Sequence, residues 1–119
     1  MIKNIVVTPY SPEWPRMFEA EAIKIREALG DACIAVHHVG STSVPGLIAK
    51  PVIDIIGVVK DFEKVIEPLE GLGFKYKGEY NIPMRCYFNR SEGIDTNLHV
   101  YKEGHPEIEL NLLFRDYLR

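Results

Sequence analysis

The chain has 119 residues, 46% of them hydrophobic and 26% charged, which suffices for one domain around a single modest core. A formal charge of −3 argues against a general nucleic-acid-binding surface and leaves any anionic ligand to a local pocket. Cys33 and Cys86 lack a paired metal-ligand spacing, the stretch 1–7 is too short for a signal-peptide core, and no run approaches transmembrane length; a cytoplasmic protein with reduced thiols and no membrane partner is expected.

Ser11-Pro12-Glu13-Trp14-Pro15 is turn chemistry leading into a helix over about 15–29, with Phe18, Ala22, Ile25 and Leu29 on one stripe. Tyr10, Trp14 and Phe18 pack this helix on a sheet, and Glu19, Glu21, Lys24, Arg26 and Glu27 form its solvated face. Gly30 ends it. Residues 33–39 alternate and read as a strand, and the apolar run 52–59 reads as a strand buried on both faces. Asp61 caps a second helix carrying Phe62, Val65, Ile66 and Leu69, which Pro68 bends and Gly71 and Gly73 stop. Three short strands follow over 74–77, 85–89 and 96–101, with turns at Asn81-Ile82-Pro83 and Ser91-Glu92-Gly93. Pro106 opens a last helix with Leu110, Leu113, Phe114 and Tyr117 on one side. This order predicts an α+β fold, a mixed sheet with helices packed on it, in one domain over 1–119.

The most informative stretch is His38-Val39-Gly40-Ser41-Thr42-Ser43-Val44-Pro45-Gly46, followed by Lys50 and by Asp54, the single acid of the apolar strand. An ionised group there loses hydration, so a cation or donor is expected beside it. Backbone N–H groups of a tight turn at Gly40 form a donor nest for an anion, and the hydroxyls of Ser41, Thr42 and Ser43 and the charge of Lys50 add to it. The expected partner is a phosphorylated small molecule or nucleotide. The turn is not a Walker A loop, since Gly46 is followed by Leu47, and it also reads as a plain connection whose hydroxyls satisfy their own backbone. His38 shares a strand face with Val36, and His99 lies on a polar stripe with Asn97 and Tyr101. With Asp54 these histidines make a trio suited to a transition metal or to acid/base work, although each alone also reads as a structural imidazole. Arg85 is the preferred arginine contact for phosphate or carboxylate, while Arg115 and Asp116 read as ion pairs fastening the last helix.

Gly40-Ser41, twelve intervening residues and Asp54 look like the nucleotidyltransferase-fold signature. More specifically, Val7-Thr8-Pro9-Tyr10-Ser11-Pro12-Glu13-Trp14-Pro15, the Gly40 turn with Lys50-Pro51-Val52-Ile53-Asp54, Asn97-Leu98-His99-Val100 and Phe114-Arg115-Asp116-Tyr117-Leu118-Arg119 resemble the GrpB family over nearly the whole chain. The resemblance implies a minimal nucleotidyltransferase fold, occasional fusion to dephospho-CoA kinase, and a poorly defined activity. It also implies a further helical segment after the Arg-Asp-Tyr-Leu-Arg block; stopping at Arg119, this chain is expected to expose an apolar face, and a homodimer follows as an expectation. The signature's second carboxylate falls at Ile56, so Mg²⁺ or another divalent metal would be held weakly by Asp54, with Asp95, Glu92 and Glu109 as distant candidates. Three readings follow in order: a module or non-standard enzyme acting on a phosphorylated small molecule, an interaction module without catalysis, and a metal-dependent nucleotidyltransferase.

Overall fold

The computed structural model describes residues 6–119 apart from Asn81, so most of the stretch weighed as a signal peptide, and the first residue of the Asn81 turn, lie outside the described residues. Helix α1 (Glu13–Leu29) starts two residues earlier than expected and holds Pro15 in its first turn, where a missing N–H costs nothing. Trp14, Phe18, Ala22, Ile25 and Leu29 are buried along it at the expected spacing. Full burial of each larger side chain contributes about 1.5–3 kcal/mol. Glu21 corrects the expected solvated face: its side chain is mostly buried and pairs with Arg90, whose guanidinium also lies over the Phe74 ring.

Strands β1 (Cys33–Val39), β2 (Val52–Val59), β3 (Lys75–Tyr76), β4 (Arg85–Arg90) and β5 (Asp95–Lys102) form one mixed sheet in the order β1-β2-β5-β4-β3. Among the described residues only β2 and β5 run parallel, joined by a crossover containing α2 (Ile66–Glu70), β3 and β4. The second helix is shorter than expected. Asp61 caps a turn, accepting from the Glu63 N–H at 2.9 Å, and Lys64 adopts φ 59°, which breaks helical continuity. Pro68 then falls within the first turn of α2, where it is accommodated.

One sheet face packs Val36, Ile53, Ile55, Val59, Phe88, Leu98 and Val100 against α1 and α2. The other packs Val39, Ile56, Val58 and Tyr101 against Ile108 and Leu112 of α3 (Pro106–Leu118). The central strands are thereby covered on both sides. Leu110, Leu113, Phe114 and Tyr117 share a side of α3, and that side faces solvent, with Tyr117 85% exposed. Among the described residues no helix is long and apolar enough to cross a membrane.

Candidate functional site

Asp54 sits where three strands meet, opposite Val39 of β1 and Asn97 of β5, and therefore shares their face of the sheet. Its side chain is 28% exposed. Asp54 Oδ1 accepts from Asn97 Nδ2 at 3.2 Å and lies 3.5 Å from His99 Nε2. Asn97 is itself oriented by the Tyr87 hydroxyl and the Asn89 amide, which donate to its Oδ1 at 2.8 and 2.9 Å. The lone acid of the apolar strand is thus compensated by amide and imidazole groups and by partial exposure. Tyr87 and Asn89 carry no signal in the sequence beyond alternation on a short strand.

The turn before Asp54 is held by one glycine. Gly40 adopts φ 74° and ψ −177°, a region open essentially to glycine alone, and a β-carbon there would come 2.6 Å from Asp54 Oδ2. The Ser43 and Val44 N–H groups then close a tight turn onto the carbonyls of Gly40 and Ser41. Two of the three turn hydroxyls are also turned inward, which corrects the expected nest. Ser43 Oγ donates to the Gly40 carbonyl, and Thr42 Oγ1 donates to the Val52 carbonyl at 2.9 Å. Only Ser41 is exposed, and it lines an open cleft of about 270 Å³ with Lys50, Val52, Asp54 and Asn97.

The structure separates the expected histidine trio. His38 lies opposite Ile55, on the α1 face, buried and stacked on Phe18 with ring centroids 4.9 Å apart. Because the Thr42 hydroxyl spends its proton on Val52, it accepts from His38 Nε2–H at 3.0 Å. Burial first, then the Arg119 guanidinium, push this imidazole down to about 4, so at neutral pH it is an uncharged donor. His99 stays with Asp54 on the opposite face. Arg115 and Arg119 fasten α3 by donating to the His38 and Ser43 carbonyls at 3.1 and 3.2 Å; the Arg115–Asp116 ion pair stays within α3.

Arg85 does not reach the open cleft. It is buried on β4, where Nε and Nη2 donate to the Glu79 and Tyr80 carbonyls and Nη1 meets His99 Nδ1 at 3.1 Å. With His99, Tyr101, Glu107 and Asn111 it lines a smaller cavity of about 120 Å³ reaching α3. For a metal, β5 carries Asp95 on the same sheet face as Asp54, two residues before Asn97 and opposite Val52. Burial chiefly, and then Asp54 and, more weakly, Asp95, push the Tyr87 phenol up. Two carboxylates suit Mg²⁺, which keeps several waters, better than a metal that needs a full protein cage. Among the described residues no three His, Cys, Asp or Glu side chains converge on one point.

Comparison with known proteins agrees with this architecture. A family model described as "GrpB protein" matches residues 4–119. The UPF0157 protein BH1888 of Halalkalibacterium halodurans is 41% identical over 98% of this chain and 61% of its own, and UPF0157 protein YqkA of Bacillus subtilis is 38% identical over 98% and 35%. The chain therefore spans between about a third and three fifths of these relatives. A dephospho-CoA kinase of Mycolicibacterium paratuberculosis is 27% identical over 94% of this chain and 35% of its own. The crystal structure of conserved protein GrpB from Enterococcus faecalis superposes with a TM-score of 0.89 at 39% identity, covering 96% of this chain and 72% of that one. The Cid1 poly(U) polymerase superposes at 0.59 with 12% identity over 93% and 37% of the two chains, and its complex with the UTP analog UMPNPP at 0.60 with 14% over 93% and 37%, a likeness of fold. With a nucleotidyltransferase-like sheet and a family match over nearly every residue, the chain belongs to the GrpB family.

Proposed function

We propose that the cleft lined by Ser41, Lys50, Asp54 and Asn97 binds a nucleotide or another phosphorylated small molecule. The observation that carries this reading is the close approach of Gly40 to Asp54, which gathers an exposed hydroxyl, an ammonium and a partly exposed carboxylate around one open space. Lys50 supplies charge for a phosphate oxygen and Ser41 a donor for a second. Asp54 accepts from a ligand hydroxyl or, with Asp95, holds Mg²⁺ that neutralises phosphate charge. Support comes from a fold shared with Cid1, described in complex with a UTP analog, and from the likeness to part of a dephospho-CoA kinase. Ile56 stands where a second strand carboxylate would complete a two-metal site, so binding ranks ahead of nucleotidyl transfer.

Titration calorimetry with ADP, ATP and coenzyme A precursors, each with and without Mg²⁺, tests the reading. Lys50→Ala is expected to weaken the bound compound about tenfold, equivalent to about 1.4 kcal/mol, and Asp54→Asn to remove any Mg²⁺ enhancement. No heat and no thermal stabilisation from the whole panel would sink it and favour an interaction module.

A further inference from the structure

We propose that Arg85 is a positioning residue that fixes His99 as its Nε2–H tautomer, so that the Asp54 site is offered an N–H donor and no imidazole lone pair. A guanidinium can only donate. Its Nη1–H at 3.1 Å therefore occupies the Nδ1 lone pair of His99, and the ring proton of the neutral imidazole is carried on Nε2, toward Asp54. The ring cannot easily turn away. It stacks on Tyr87 with centroids 5.3 Å apart and planes 24° apart, and the Arg85 guanidinium lies 4.9 Å over the same tyrosine. Arg85 is in turn fixed by two backbone carbonyls, those of Glu79 and Tyr80.

At 3.5 Å the Nε2–H to Asp54 contact is too long to use the donor fully. An oxygen arriving beside Asp54, from a phosphate or a water, satisfies it better. The same arrangement leaves no His99 nitrogen to coordinate zinc or another transition metal, since a ligating imidazole needs a free lone pair. The chemistry selected is an anionic oxygen at His99 next to a carboxylate, which rests on the binding role proposed for the cleft and narrows it.

Long-range ¹H–¹⁵N NMR of the histidine rings at neutral pH reports the tautomer without any ligand. In the parent protein and in Arg85→Lys, whose ammonium also only donates, His99 is expected as a single Nε2–H species. In Arg85→Met, an Nδ1–H population is expected to emerge while the His38 signals stay unchanged. Protonation of His99 on Nδ1 in the parent overturns the proposal, even if Arg85→Met fails to fold. An unchanged His99 pattern in a folded Arg85→Met protein overturns it too. Titration of ADP, ATP and coenzyme A precursors beside these spectra keeps the two readings apart: absence of binding across that panel refutes the phosphate site, while the spectra decide the tautomer.

Discussion

Gly40→Ala tests the contact on which the site is built. Two costs add. An alanine at φ 74° and ψ −177° stores about 1–3 kcal/mol of backbone strain. Its β-carbon would also stand 2.6 Å from Asp54 Oδ2 and 3.1 Å from Asp54 Cβ, closer than such atoms approach, so β2 or the carboxylate must move. Together these predict a loss of about 3–4 kcal/mol, a large part of the 5–15 kcal/mol available to a domain of this size. For 119 residues that is a fall in Tm of about 10–15 °C. Urea denaturation of Gly40→Ala, Asp54→Ala and the double variant separates the two terms, because removing the carboxylate relieves the collision and leaves the strain. The double variant is expected to be more stable than the sum of the single losses by about 1 kcal/mol or more. A Gly40→Ala loss below about 1 kcal/mol, or single losses that add within about 0.5 kcal/mol, would refute the close-approach reasoning.

Acid should weaken the fold through His38. The unfolded imidazole takes a proton near 6.5 and the folded one only near 4, so the unfolded state binds more protons in that window and stability falls as the pH drops through it, by about 2–3 kcal/mol. His38→Gln should flatten this part of the profile measured by urea denaturation from pH 7 to 4.5; an unchanged slope would contradict the assignment. Arg90→Ala should cost about 3–5 kcal/mol by stranding Glu21, whose Oε2 already has no partner among the described residues, whereas replacing both residues with apolar ones of similar size should recover much of the loss. Self-association through the exposed α3 stripe, the homodimer expected from the sequence, predicts a dimer in sedimentation velocity that Phe114→Glu converts to monomer; a monomeric parent at high concentration would rule that contact out.

The α1 stripe, the strands at 33–39 and 52–59, and the central place of β2 were legible because hydrophobic period and glycine positions act locally. The Gly40 turn and the isolation of Asp54 were legible for a related reason: a single acid in an apolar strand needs a partner wherever the chain goes. Register decided the rest. Only the pairing of Val39 and Asn97 with Asp54 puts His99 beside the acid and turns His38 to the far face, since side chains alternate and one residue separates the two outcomes. The inward turn of Thr42 and Ser43, the burial of Arg85 behind His99 and the pairing of Glu21 with Arg90 join residues distant in sequence or spend donors on backbone carbonyls. Periodicity carries no information about such contacts. The sequence by itself determined the elements, the family and which residues are chemically able to form a site; the tertiary structure alone decided which of them meet, because a polar group's role is set by the partner that satisfies it.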